Sequence, residues 1–210
     1  MQLVGILQIR SYEKIKNFLN EEHVGRIATI DTNGFPQIIP MNFVFLNDAV
    51  YMHSHVRGEK LENISRNNLV GFEADRELEF LPSYFEDPHN AALADTLYVS
   101  VVIKGFGSFV SDREEKTLAL NGLMEKYQPE GRYDPLTSDM RVIDSVAIIK
   151  VVPKSIHGKY KIGQHLSISD RKELAEKILK RNSQNSKNTL KTMGFEITAD
   201  GLRMVDEPVW

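Results

Sequence analysis

The chain has no cysteine and only one tryptophan among its 210 residues. Without cysteine it has no disulfide framework, no thiolate nucleophile and no cysteine-held metal or iron–sulfur centre. It also lacks an excess of charge of either sign, since 26 basic and 29 acidic side chains leave a net −3. That balance gives no concentrated basic face of the kind nucleic acid requires. The opening residues, Met1-Gln-Leu-Val-Gly-Ile-Leu-Gln-Ile-Arg10, carry no basic n-region and are too short to span a bilayer. A cytoplasmic protein with neither membrane nor nucleic-acid partner is therefore expected. Apolar residues make up 41%, slightly under a typical globular share, which allows a real core but not a generous one.

What is present reads mainly as short strands. Ser11 opens a helix over 11–22, with Ile15, Phe18 and Leu19 on one face. Residues 25–31 follow as a strand, and Asn33-Gly34 signals a two-residue hairpin into a long strand over 35–45. Asn47-Asp48 turns the chain again into a strand over 49–54. A helix at about 57–66 precedes a strand over 69–73, and residues 76–96 read as an irregular added loop containing Phe80, Tyr84 and Phe85. Residues 97–110 form a long strand. Ser111 and Glu114 then make a capping-box pattern before a helix carrying Leu120, Leu123, Met124 and Tyr127. A strand over 145–152 is blocked by Pro153, and Ser167 with Asp170 caps a further helix. Residues 181–189 read as a polar linker, and Asp200-Gly201 marks a C-terminal hairpin.

About six strands with three or four helices, not alternating regularly, predict an α+β, mainly β fold. The expected form is a six-stranded antiparallel barrel with peripheral helices over 1–165 and a C-terminal helix and tail over 166–210.

The richest stretch chemically runs from Tyr51 to Arg66, where a strand enters a helix start bearing hydroxyl, imidazole, guanidinium and ammonium groups. A phosphate dianion needs such donors, and a helix N-terminus adds free N–H groups and a favourable dipole. A strand end leading into a solvated charged helix has the same composition. Pro40 interrupts a good strand, which marks an edge or a place where the ladder opens and frees the backbone groups of Met41 and Asn42 for a flat heterocycle. Gly105-Phe106-Gly107 lacks the third glycine and following helix of a dinucleotide fingerprint, and reads instead as a bulge or a close backbone approach at a barrel corner. His53 and His55 share one strand face without a third ligand at a diagnostic spacing, so no metal site is expected. The basic segment Lys159–His165 reads as a solvated strand end, and Trp210 as a residue docked on its own domain or free.

Taken in order, the following segments resemble the pyridoxamine 5'-phosphate oxidase-like, FMN-binding split-barrel superfamily: Val24-Gly-Arg-Ile-Ala-Thr-Ile-Asp31, Gly34-Phe-Pro-Gln-Ile-Ile-Pro-Met-Asn42, Tyr51-Met-His-Ser54, Gly58-Glu-Lys60-Leu61, Tyr98-Val-Ser-Val-Val-Ile-Lys-Gly105, Glu115-Lys116 and Met124-Glu-Lys-Tyr-Gln-Pro129. The branch they resemble includes the nitroimidazole-resistance reductases. Lys161-Ile-Gly-Gln-His165, followed by Asp170-Arg171, is similar to a segment of flavin-binding proteins described as negative regulators of sporulation and protease genes.

The resemblance implies a split-barrel homodimer with FMN at the subunit interface. In it Ile39, Pro40, Met41 and Asn42 would meet the ring, and His53 and Ser54 the ribityl chain and phosphate. Lys60 would be the main phosphate cation, assisted by His55 or Arg57. Ser100 and Val101 would lie on the strand lining the ring, and Lys161 and Gln164 would reach the partner's flavin. The implied activity passes electrons from NAD(P)H through FMN to a small acceptor. The alternatives are a non-catalytic flavin or haem sensor or carrier, and an F420-dependent reductase. The chain has Glu59-Lys60 where true pyridoxamine-phosphate oxidases carry an Arg-Lys pair, and it lacks their C-terminal arginine motif, so vitamin B6 oxidation is not expected.

Overall fold

The computed structural model describes residues 5–205. In chain order the elements are β1 (Gln8–Ile9), α1 (Tyr12–Glu21), β2 (Val24–Ile30), β3 (Pro36–Asn42), β4 (Val44–Leu46), β5 (Ala49–Ser54), α2 (Glu59–Arg66) and β6 (Leu69–Leu81). Then come β7 (Asp95–Phe109), α3 (Arg113–Tyr127), β8 (Ala147–Lys161), α4 (Ile168–Arg181), α5 (Ser186–Thr192), β9 (Phe195–Thr198) and β10 (Gly201–Met204).

One sheet has the strand order β3-β2-β6-β7-β8-β5-β4, with β1 joined to β8. Its two end strands, β3 and β4, are separated in the chain by Phe43 alone. A flat sheet cannot bring its opposite edges within one residue, so this sheet curls. The fold is the antiparallel, α+β split barrel expected from the sequence, with more strands than the six anticipated.

The extra strands have identifiable causes. The expected strand over 35–45 breaks at Phe43, a fully buried residue whose ring packs edge-on against Phe72 at 4.9 Å. β1 pairs with the far end of β8, Gln8 opposite Lys159. β9 and β10 form the C-terminal hairpin, Thr198 opposite Gly201.

Several boundaries differ from those expected. β6 runs on to Leu81 and β7 starts at Asp95, so the irregular segment shrinks to 82–94. β8 continues through Pro153 to Lys161. Its pairing with β5 ends at Val151 and its pairing with β1 begins at Gly158, so Pro153 falls where one side of the strand has no partner and a missing N–H is tolerated. The polar segment after Arg181 contains α5, because Thr189 donates to the Leu78 carbonyl at 2.7 Å and Ser186 to that of Ile178 at 3.2 Å. The α3 cap is Asp112, which accepts from the Glu115 amide at 2.8 Å, one residue beyond the expected Ser111 pattern. The Ser167 cap accepts from the Asp170 amide as expected. In the first hairpin Asp31 Oδ1 accepts from the amides of both Asn33 and Phe35 at 2.8 Å, so the loop is longer than two residues. Asn47 and Asp48, both at positive φ, form the second turn. Trp210 lies outside the described residues.

The chain forms two compact units. One comprises Glu13–Ala74 and Val101–His157; the other comprises Asp75–Ser100 with the segments up to Tyr12 and from Gly158 onward. In the first unit, α3 packs Ala119 and Leu123 against Val44, Ala49 and Tyr51, all buried. In the same unit Gly105 lies so close to β8 that a Cβ there would meet the Val152 carbonyl at 2.5 Å. The glycine is therefore a site of close backbone approach, one of the two readings its sequence context left open. In the second unit, Glu79 is buried yet satisfied by Arg181 at 2.7 Å and Ser183 at 2.6 Å, which ties β6 to α4 and the turn after it.

Candidate functional site

β5 delivers the first site residues. Pleating sends His53 outward and Ser54 inward, so the two occupy opposite faces of the strand. His55 and Arg57 are exposed in the turn that follows, where the Arg57 amide donates to His55 Nδ1 at 3.1 Å. Gly58 caps α2 with φ at 145°, a backbone state that glycine adopts without strain. No side chain caps this helix start. Glu59 and Lys60, its first residues, have no intrahelical acceptor for their amides. The Ser54 hydroxyl is buried and has no hydrogen-bond partner among the described residues. An orphaned hydroxyl, uncapped amides and the Lys60, Arg57 and His55 side chains thus follow one another along one strand–helix junction, with His53 on the opposite face of β5 from Ser54. That donor set suits an anion, with the Glu59 and Glu62 carboxylates as the opposing charges in the first turn.

β3 is the sheet edge, and none of its residues is buried. Its ladder with β2 is continuous from Ile30 opposite Pro36 to Val24 opposite Asn42. The ladder does not open at Pro40. The backbone groups of Ile39 to Asn42 that remain free are those along the outer edge, since β2 occupies only one side of the strand. The neighbouring Phe35 and Ile38 side chains are exposed.

A buried polar network, not recognised in the sequence, holds α2 against these strands. Asn63 donates through Nδ2 to Thr29 Oγ1 at 3.2 Å and to Gln37 Oε1 at 3.3 Å. Arg66 donates to Asn63 Oδ1 at 2.9 Å and to the Ile30 carbonyl at 2.7 Å. Thr29 and Asn63 are both about 1% exposed. The only sequence signal was an asparagine on the buried side of a helix.

The remaining expected residues sit apart from this junction in the chain. Val101 is fully buried, and Ser100 precedes it in the middle of β7. Lys161 pairs with Asp95. Burial pushes the Asp95 carboxyl up, but the Lys161 and Thr96 hydrogen bonds and the Lys161 and His165 charges together hold the group below its usual range. The Gln164 side chain closes a turn, accepting from the Ile162 amide at 2.9 Å and donating to the carbonyls of Tyr160 at 3.0 Å and Ile6 at 3.1 Å. Phe80 and Tyr84 are exposed, and Tyr84 packs edge-on against Phe85 at 5.5 Å.

Two other polar groups in the first unit are structural. Glu115 accepts from Lys150 at 2.6 Å and Tyr51 at 2.7 Å, which keeps its carboxyl below the usual range, while burial pushes the Tyr51 phenol up. Lys126 donates to the Leu19 carbonyl at 2.9 Å with its ammonium 3.7 Å from the Phe43 ring centroid, and burial lowers its pKa to about 8. Among the described residues, no group of three or more His, Asp or Glu side chains is placed to hold a metal ion.

A family model described as pyridoxamine 5'-phosphate oxidase matches residues 11–160. The chain belongs to the pyridoxamine 5'-phosphate oxidase family. The matched region contains the whole strand–helix junction and the β3 edge. No curated protein matches the chain. Among solved structures, a candidate 5-nitroimidazole antibiotic resistance protein from Bacteroides thetaiotaomicron VPI-5482 is similar at 24% identity and a TM-score of 0.61, with 73% of this chain and 86% of that one covered. The flavocytochrome Anf3 from Azotobacter vinelandii is similar at 16% identity and a TM-score of 0.64, covering 77% of this chain and 72% of that one. A FAD and heme binding protein from Mycobacterium smegmatis is similar at 15% identity and a TM-score of 0.62, covering 73% of each chain. At these identities the likenesses establish the fold. They leave the chain's chemistry to its own residues. No helix among the described residues is long and apolar enough to cross a membrane.

Proposed function

We propose that this protein binds FMN and acts as an oxidoreductase, passing electrons from NAD(P)H through the flavin to a small acceptor. The observation that carries the reading is the start of α2, which no side chain caps, its N-cap Gly58 standing four residues after the orphaned Ser54 hydroxyl in the chain. A phosphate dianion there takes up the free Glu59 and Lys60 amides, the favourable end of the helix dipole and the Lys60 ammonium. Arg57, His53 and His55 line its approach. FMN supplies the redox chemistry, accepting hydride and passing it on. The chain's own contribution is grip and orientation: α2 holds the phosphate end, and the outer edge of β3 at Ile39 to Asn42 offers backbone groups to the ring. The names of the similar structures, a flavocytochrome and a FAD and heme binding protein, support a flavin on this fold.

The same reading makes the protein a cytoplasmic homodimer with flavin at the interface, to which Ser100, Val101, Lys161 and Gln164 contribute. The exposed apolar Ile38 on β3 and Phe35 just before it, at a strand whose outer edge is open, favour a second copy as the cover for that face. Steady-state oxidation of NADH or NADPH by purified protein with added FMN tests the activity. Turnover dependent on FMN supports an enzyme; a tight flavin complex that is never reduced by either nicotinamide replaces it with a sensor or carrier. A haem or F420 spectrum of the purified protein would replace the flavin itself.

A further inference from the structure

The buried network beneath α2 joins the two ends of the proposed flavin site. Along β3, Gln37, Ile39 and Met41 are half-buried on one face, while Pro36, Ile38, Pro40 and Asn42 are exposed on the other. Gln37 faces α2, since its Oε1 accepts from Asn63 Nδ2 at 3.3 Å. Ile39 shares that face, about 7 Å farther along the strand. On α2, Asn63 follows Lys60 by three residues, so the two share a side of the helix, about 4.5 Å apart along its axis.

No polar atom of the Asn63 side chain is spare. Nδ2 donates to both Thr29 Oγ1 and Gln37 Oε1, and Oδ1 accepts from Arg66. Arg66 also holds the Ile30 carbonyl, and Thr29 stands opposite Gln37 in the β2–β3 ladder. Thr29 and Asn63 are both buried, so the bond between them is shielded from water. α2 cannot slide or turn over β3 without breaking buried bonds, which cost more to leave unmade than exposed ones.

A ligand held at two points gains from such a lock. Once one end is bound, the other meets its contacts at an effective concentration set by their spacing, and a fixed spacing raises it only for a ligand of matching length. We propose that Asn63 is a positioning residue that holds the phosphate-binding start of α2 and the ring-binding edge of β3 at one spacing. The site is thereby selective for a flavin carrying a terminal phosphate at that span. This selectivity rests on the flavin reading and goes beyond it, because it is assigned to a residue that touches neither end of the ligand.

The test is titration of the full chain with FMN and riboflavin in the parent, Asn63→Ala, Lys60→Ala and the double variant. The parent binds FMN more tightly than riboflavin. Asn63→Ala narrows that preference by about tenfold and leaves riboflavin, held at the ring end alone, within about twofold of the parent. In the Lys60→Ala background the same substitution weakens FMN less than it does in the parent, since the contact it misplaces is already gone; the double-mutant cycle reads that coupling. Arg66→Met loosens the same network from its exposed end and shifts the preference in the same direction, which keeps the test decisive where Asn63→Ala does not fold. An unchanged FMN preference in these network variants, equal losses of FMN and riboflavin, or additive effects of Asn63→Ala and Lys60→Ala would overturn the proposal and leave the flavin site standing. A parent that binds neither flavin, or both equally, would overturn the flavin reading and this selectivity with it.

Discussion

Asn63 on α2 reaches Thr29 on β2 through a buried hydrogen bond of 3.2 Å, and the same amide group reaches Gln37 on β3 at 3.3 Å. One side chain thereby fixes the helix that presents Lys60 to the two strands nearest the sheet edge. Asn63→Ala removes both bonds and leaves Arg66 without its Asn63 acceptor. Loss of about 2 kcal/mol of stability is expected, the usual cost of stranding buried polar groups. Urea unfolding of the variant checks it; a cost near zero would mean that the network contributes nothing net.

Lys60, in the first turn of α2, is the cation to which the proposed function gives the main phosphate contact. Lys60→Ala is expected to weaken FMN by about 2 kcal/mol, the share of one charge-assisted bond. Riboflavin, which lacks the phosphate, should bind variant and parent alike. Titrations with the two flavins separate the contact from a general loss of fold.

Arg181 is the ion-pair partner of Glu79, whose side chain is only 1% exposed. Arg181→Ala leaves that carboxylate buried with only serine hydroxyls as donors. A loss of about 3 kcal/mol is expected, as for other buried pairs broken from one side. Thermal unfolding should show it, and an Arg181→Lys variant should recover part of the loss.

Lys126 has its pKa lowered by burial from 10.5 to about 8. Between those values the unfolded chain binds more protons at this residue than the folded one does. Stability therefore rises with pH across that window, and below about pH 8 the unfavourable share of the buried ammonium is fully present. Unfolding free energies of the parent and Lys126→Met, followed from neutral pH to about pH 10, should converge or cross as the parent gains. Parallel curves would show that the ammonium is not penalised in the fold.

Much of this architecture could be read from local chemistry. Asn47-Asp48 and Asp200-Gly201 set their turns through backbone states that few residues tolerate, and the Ser167 cap depends on neighbours three residues away. What escaped the sequence depends on distant partners. α5 forms in a polar stretch because the Leu78 carbonyl and Glu79, roughly a hundred residues earlier, accept its hydroxyls and those of the preceding turn. β8 passes through Pro153 because of a gap between two partner strands. At the candidate site the donors of the strand–helix junction were visible as a cluster in sequence. The Asn63 network was not, since nothing in the sequence places Thr29 and Gln37 beneath that helix.

The central claim is a phosphate grip at the start of α2, and comparative titration of purified protein with FMN and riboflavin, followed by flavin absorbance and fluorescence, measures it most directly. The account predicts a saturable FMN complex, bound at least about tenfold more tightly than riboflavin, as expected for a charge-assisted phosphate contact. Equal affinity for the two flavins, or no binding of either, would contradict it.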